Sequence, residues 1–201
     1  MARLRTPRSL AALLIAGLAV VPVDAISQQP GDPGVVFEGS AQTGADKRPV
    51  RFRFYCSANN GPNITGALAV ALEIPHFEQL NAVFDFDPFE GPDASAGPLT
   101  HLQATGARAK AQGDFAASGF MPAPDPDAAF VLEVAAARRG NPARLAALTN
   151  VMRALVDGPS QLVWRQGNAT KGGVPMNASL DLPNVRTDQL QAALGPCLGS
   201  R

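Results

Sequence analysis

The stretch Val50-Arg51-Phe52-Arg53-Phe54-Tyr55-Cys56 decides the fold, because side chains suited to a core alternate along it with polar ones. Successive side chains of a β-strand point to opposite faces, so a period of two predicts a strand with one face in the core and one in water. Residues 67–74 repeat the pattern, with Leu68 and Val70 on the apolar side. Both segments therefore predict half-buried antiparallel strands.

Further strands are predicted by the same alternation on the carboxyl-terminal side of this pair. A hairpin around Gln112-Gly113-Asp114 is expected to join residues 107–111 to residues 115–120. Other strands are expected at residues 128–136, 162–165 and 174–182. In the second of these, Trp164 shares a face with Leu162, which favours a core position over a surface ring that stacks on a sugar.

Two helices are predicted late in the chain. The first follows the N-cap Asn141, has Pro142 at its first position and ends at Gly158. The second runs from about residue 188 to 194, capped by Thr187 and stopped by Gly195-Pro196. The chain is therefore expected to be α+β: mostly antiparallel β, as a sandwich or a curved sheet, with the two late helices packed on it.

The amino terminus has the pattern of a secretory signal peptide, residues 1–25. Three arginines precede the apolar run 10–23, and Val23-Asp24-Ala25 supplies small residues at the −3 and −1 positions of a cleavage site. The apolar run is shorter than the roughly 20 residues that cross a bilayer, and no second such run follows. Arg far outnumbers Lys and Ala is abundant, which favours a bacterial source. The expected location is the periplasm or the medium.

The mature chain is expected to begin at Ile26, with a flexible linker at 26–34 and a single domain at 35–201. Removing residues 1–25 leaves 14 basic and 16 acidic residues, a formal charge of −2. This balance argues against nucleic acid as a partner. An envelope protein or a glycan is the kind of partner that fits an exported domain.

Cys56 and Cys197 are the two cysteines of the chain. An even number of cysteines in an oxidising compartment favours a disulfide. The alternatives are two separate buried thiols, or a nucleophilic cysteine with a histidine base. Because Cys56 alternates with Phe52 and Phe54, its side chain should point into the core, and we expect a structural bond between the two cysteines.

The acidic segment 84–93 is the strongest candidate for chemistry. Four carboxylates there would suit a hard cation such as Ca²⁺, which binds oxygen ligands; they belong to Asp85, Asp87, Glu90 and Asp93. The favoured interpretation is a loop next to a strand, with the phenylalanines buried and the carboxylates in water, because Phe84 and Phe86 would share one strand face. No other cofactor is expected.

The other candidate side chains are histidines and a basic run. His76 and His101 are the two histidines, so any acid–base proposal must use one of them. The run from Lys47 to Arg53 would bind an anionic glycan or lipid headgroup, or would form a solvated strand face that protects a sheet edge. The sequence contains no nucleophile elbow, zinc-protease motif, phosphate loop or Cys-x-x-Cys pair.

The closing segment Val174-Pro175-Met176-Asn177-Ala178-Ser179-Leu180, followed by Gln191-Ala192-Ala193-Leu194, resembles the carboxyl-terminal end of the invasion-associated locus B family of bacterial periplasmic proteins. The resemblance covers roughly the last sixty residues. Where a glycine would be expected after the apolar strand, this chain has Leu182-Pro183-Asn184. The resemblance implies a small β-sandwich in the envelope and assigns no functional residue.

No motif fixes a reaction, and a non-enzymatic envelope binding or structural module is the favoured expectation. The alternative is a small periplasmic hydrolase that uses His76 or His101 with nearby carboxylates. The two differ in the surface they need. An enzyme requires a concave pocket where a histidine and a carboxylate converge, whereas a binding module requires an exposed patch.

Overall fold

The computed structural model describes residues 34–56, 67–90, 97–121, 129–137 and 139–199. The predicted signal peptide and nearly all of the predicted linker lie outside these ranges. The described strands are β1 (Val35–Thr43), β2 (Asp46–Cys56), β3 (Ala67–Ile74), β4 (Thr100–Thr105), β5 (Lys110–Phe115), β6 (Ser118–Phe120), β7 (Phe130–Ala137), β8 (Ser160–Gln166) and β9 (Met176–Leu182). The helices are α1 (Pro142–Leu155) and α2 (Asn184–Leu198), and 3₁₀ turns lie at Phe77–Leu80 and Asp87–Phe89.

All nine described strands form one antiparallel sheet in the order β5-β4-β8-β9-β1-β2-β3-β7-β6. The edge strands β5 and β6 are consecutive in the chain and are separated only by Ala116 and Ala117. The two edges must therefore approach each other at this link, and the sheet curls into a half-barrel. The fold is α+β as expected, and the curved sheet is the architecture present.

The inner face of the half-barrel is apolar and carries both helices. α1 packs mainly against β5 and β4, and α2 packs mainly against β2. The largest fully buried side chains are Trp164, Phe52, Phe54, Phe84, Phe89, Phe115, Phe130, Leu68, Leu72, Ile74, Leu80 and Leu102. Burial of this surface, at about 25 cal/mol per Å², is the main stabilisation of the fold. In the described part of the chain, no helix is long and apolar enough to span a membrane.

Arg144, in the first turn of α1, joins β7 to the link between β5 and β6. Its Nε donates to the carbonyl oxygen of Ala135 in β7 at 2.7 Å, and its Nη2 donates to that of Ala116 at 2.8 Å. The guanidinium carbon also lies 5.9 Å from the centre of the Phe115 ring. Burial lowers the pKa of Arg144. The helix thus holds the sheet closed where β5 passes into β6.

The hairpin predicted around Gln112-Gly113-Asp114 is wrong. These residues lie inside β5, which pairs along its length with β4, whereas β6 pairs with β7 at the opposite edge. Gly113 forms no turn and instead leaves space for the ring of Phe115, since a Cβ at position 113 would lie 2.9 Å from Cζ of Phe115. The turn before β5 lies at Gly106, whose N–H donates to Ala109. Neither β1 nor β4 was predicted.

The first helix is confirmed and the second differs. Asn141 caps α1, its side chain accepting from the N–H groups of Ala143 and Arg144. The predicted cap of α2, Thr187, instead lies inside the helix, and its hydroxyl contacts the carbonyl oxygens of Gly158, Leu182 and Pro183. α2 therefore begins at Asn184 and continues through Pro196 to Leu198.

The Cys56–Cys197 disulfide is present, with the two Cα atoms 5.8 Å apart. It joins the last turn of α2 to the end of β2, and Cys56 is buried as predicted. Nη2 of Arg153 in α1 donates to the carbonyl oxygen of Leu198 at 2.7 Å. Proline in a helix interior costs about 3 kcal/mol of helix stability. These two attachments hold the last turn of α2 in place although Pro196 lies within it.

Candidate functional site

His101 forms a hydrogen-bonded pair with Asp114 on the outer face of the sheet, the face away from the helices. The two residues lie directly opposite one another in β4 and β5, with Nδ1 of His101 2.7 Å from Oδ1 of Asp114. His101 is half-buried and Asp114 is exposed. The structure therefore brings one of the two candidate histidines to a carboxylate, on an open strand face.

His76 occupies a different place and has a different role. It lies in the left-handed region with φ of 51°, at the start of the 3₁₀ turn Phe77–Leu80, and its side chain makes no capping hydrogen bond. Arg48 donates to the carbonyl oxygens of Pro75 and His76 at 3.2 and 2.9 Å. The backbone at His76 thus serves to hold the turn against β2.

The positive φ at His76 gives a test of this turn role. His76→Asn should change the free energy of unfolding by less than about 0.5 kcal/mol, because Asn tolerates the left-handed region. His76→Val should lower it by about 1–2 kcal/mol, because a β-branched side chain is strained there. Urea denaturation measures both variants. Equal stability of the two would show that this backbone conformation is not the constraint at position 76.

The described part of the acidic segment, residues 84–90, buries its phenylalanines, as predicted, and lies outside the strands. Phe84, Phe86 and Phe89 are buried, and Pro88 lies in a 3₁₀ turn that replaces strand pairing. Asp85 is half-buried and accepts a hydrogen bond from Oγ1 of Thr170 at 2.7 Å, whereas Asp87 and Glu90 are exposed. Asp93 lies outside the described residues. Within those residues, no group of three or more His, Cys, Asp or Glu side chains is arranged to hold a metal ion.

The basic run is largely neutralised by nearby carboxylates. Arg48 pairs with Asp46 at 2.7 Å, and its hydrogen bond lowers the pKa of that carboxyl. Arg51 and Arg53 both pair with Glu73, at 2.9 and 2.8 Å. The predicted edge position is wrong, because β2 lies between β1 and β3.

Sequence reasoning missed the partner of this arginine pair. Glu73 is largely buried on the outer face, in register with Arg51, and next to it Tyr55 donates to Glu133 of β7. The alternation of β2 and β3 predicts the face of each of these residues. It does not predict which strands are neighbours, so the cluster could not be assembled from sequence.

A shallow depression of about 410 Å³ lies between β5 and α1. Its polar lining comes from Lys110 and Gln112 on the strand side and from Asn150, Arg153 and Asp157 on the helix side. It includes a carboxylate, but neither of the two histidines. The pocket that the hydrolase hypothesis requires, with a histidine and a carboxylate together, is therefore not this one.

An uncharged row of side chains crosses the outer face from β5 to β2. Cross-strand register joins one residue from each of the six strands into this row: Gln112, Gln103, Val163, Ser179, Ser40 and Pro49. All six are exposed or half-buried. With neighbouring strands about 4.8 Å apart, the row is about 24 Å long.

The uncharged row has polar and charged residues on both sides. The first flanking row lies two residues away from the uncharged row on each strand. It consists of Asp114, His101, Arg165, Asn177, Gln42 and Lys47. On the other side the strands carry Lys110, Thr105, Gln161, Asp181, Glu38 and Arg51. A band of mostly small side chains thus runs across the strands between longer side chains that donate and accept hydrogen bonds.

Comparison with known proteins assigns no family. No protein-family model matches the chain, and no significant match is found among curated proteins or solved structures.

Proposed function

We propose that this protein is an exported, non-enzymatic binding module of the bacterial envelope, which binds a glycan along the uncharged row of its outer face. The observation that carries the proposal is this row, bordered on both sides by hydrogen-bonding side chains. The described inner face is packed with core side chains and both helices, which leaves the outer face for a ligand.

Export is supported by three features of the chain. Residues 1–25 have the charged, apolar and small-residue regions of a signal peptide. The Cys56–Cys197 bond suits an oxidising compartment. The resemblance of the closing segment to the invasion-associated locus B family points to the periplasm as well. Together these features favour a mature protein that begins at Ile26 and acts in the envelope.

The hydrolase alternative is favoured by one observation, the hydrogen bond between His101 and Asp114. A carboxylate that orients a histidine is part of several catalytic arrangements. Here the pair lies on an exposed strand face, and both cysteines are committed to the disulfide. A release of soluble sugar from envelope material that His101→Gln abolished would establish the hydrolase in place of the binding module.

Cosedimentation with bacterial envelopes tests the proposed function. The exported protein, whose first residue should be Ile26, should sediment with intact envelopes and equally with protease-treated envelopes, which keep their glycans. Ser179→Arg should reduce the bound fraction at least tenfold, because its long side chain occupies the middle of the uncharged row, where the glycan would lie. Ser118→Arg, on the outer face of β6 beyond this row, should bind as the parent does.

Two results would overturn the proposal. Loss of binding after protease treatment would show that the partner is a protein. Equal binding by Ser179→Arg and the parent would show that the uncharged row is not the binding surface, provided that both proteins give the same melting temperature.

A further inference from the structure

The outer face brings together three neighbouring polar side chains next to the uncharged row. His101 of β4 lies opposite Arg165 of β8, and Arg165 lies opposite Asn177 of β9. Each of these side chains lies two residues from a member of the uncharged row on the same strand. Those members are Gln103, Val163 and Ser179. A ligand that lies along the row would pass directly beside these three side chains.

Arg165 differs from the other arginines of the outer face. Arg51 and Arg53 share the carboxylate of Glu73, whereas the exposed guanidinium of Arg165 has no ion pair within the described residues. Its two directly opposite neighbours, His101 and Asn177, bring no negative charge. An unpaired guanidinium presents up to five donors in a planar fork, a geometry that matches a carboxylate.

Asp114 orients His101 toward such a ligand. Because the carboxylate of Asp114 accepts from Nδ1, the neutral imidazole carries its proton there and presents Nε2 as an acceptor; this tautomer is inferred from the hydrogen bond. The second ring nitrogen then points away from β5. A hydroxyl of a ligand would donate to Nε2 while an adjacent carboxylate accepts from Arg165.

Asn177 completes the set with an exposed side-chain amide that has no hydrogen bond within the described residues. An amide both donates and accepts, so it suits the hydroxyl or amide groups of a sugar. Asp114 lies two strands from Arg165, about 10 Å away, and its negative charge disfavours a doubly charged phosphate more than a singly charged carboxylate.

We infer that His101, Arg165 and Asn177 form a subsite for a sugar that carries a carboxylate, so that the glycan bound along the uncharged row is acidic. This inference rests on the proposed function and narrows its ligand class. In the complex, Arg165 binds the carboxylate, His101 accepts from a neighbouring hydroxyl, and Asn177 binds a polar group of the same or the next sugar.

Isothermal titration calorimetry with a matched pair of ligands tests this inference. The probes are a galacturonate hexamer and the same hexamer with its carboxylates methyl-esterified, which keeps the sugar backbone and removes the charge. The parent protein should bind the acid at least tenfold more tightly than the ester. Arg165→Gln should bind both hexamers with equal affinity, and Arg165→Lys should keep only part of the preference, because it retains the charge without the fork.

The control variant is Arg108→Gln, which removes a highly exposed arginine near Asp157, outside the three rows. It should keep the full preference for the acid, as the parent does. His101→Gln should weaken binding of both hexamers, because the hydroxyl acceptor is common to them. Arg165 is exposed, so its variants should have the melting temperature of the parent.

Three results would overturn the acidic subsite: equal affinity of the parent for acid and ester, an Arg165→Gln variant that keeps the preference, or no binding of either hexamer. The first of these results can be distinguished from a failure of the proposed function. Equal affinity for the two hexamers that Ser179→Arg abolished would leave the uncharged row as the binding surface and remove only its acidic ligand.

Discussion

Replacing both Cys56 and Cys197 by Ser should lower the free energy of unfolding by about 2–4 kcal/mol. The bond closes a loop across a sequence separation of 141 residues, so its loss restores much conformational freedom to the unfolded chain. Urea denaturation of the oxidised parent and the double variant measures the difference. The parent treated with a reducing agent is the matched control, and it should lose a similar amount.

Loss of the bond should also act locally on α2. Gly195 and Pro196 disfavour a helix, and without the bond the last turn keeps the contact from Arg153 to Leu198 but loses its covalent attachment to β2. Amide protons after Gly195 should exchange first, while Leu190 and Leu194 keep the earlier turns docked. Two free thiols in the untreated parent protein, or a double variant as stable as the parent, would contradict a structural disulfide.

Trp164→Ala should lower the free energy of unfolding by about 3–5 kcal/mol, the largest effect expected from one side chain. The ring is 0% exposed, as the sequence predicted, and lies on the inner face of β8. Its Nε1 donates to Oε1 of Gln166 at 3.2 Å, which also accepts from Oγ1 of Thr100. Removal of the ring leaves a cavity and takes one donor from this buried polar group.

Trp164→Phe is the matched control, since it keeps a ring and loses the donor. The free energy of unfolding should fall by less in this variant, about 1–2 kcal/mol, because Gln166 retains its hydrogen bond to Thr100. Circular dichroism should follow unfolding, because Trp164 is the only tryptophan and its fluorescence is lost in both variants. If Trp164→Ala lowered the free energy of unfolding by less than about 1 kcal/mol, the ring would contribute little to the stability of the core.

Strands with strict alternation were predictable, and strands without it were not. β3 matches its predicted bounds at residues 67–74, because its apolar side chains occupy every second position. β1 contains Gly39 and Ser40, which read as a break in the pattern, yet Phe52 of β2 fills the space beside Gly39. In β5 the residues around Gly113 have turn chemistry, but pairing with β4 overrides it.

The end of α2 shows the same conflict between local preference and tertiary contact. Gly195-Pro196 predicts a stop, and the helix continues because its last turn is fastened to β2 and α1. The candidate site also depends on contacts between residues that are far apart in the sequence. His101 and Asp114 were visible as residue types, but their pairing and the uncharged row require the register of six strands, which residue patterns on separate segments do not contain.

The central position of β1 has a consequence for the order in which the chain folds. β1 lies between β2 and β9, and the side chains of Ser40 and Ser179 meet across 139 positions of sequence. Pairing at this distance has a high contact order and predicts slow folding, on a scale of milliseconds to seconds. During synthesis, β1 keeps one hydrogen-bonding edge unsatisfied until β9 has emerged. The domain therefore cannot close around a partly made chain, a property that agrees with the export that we propose, in which the chain crosses a membrane before it folds.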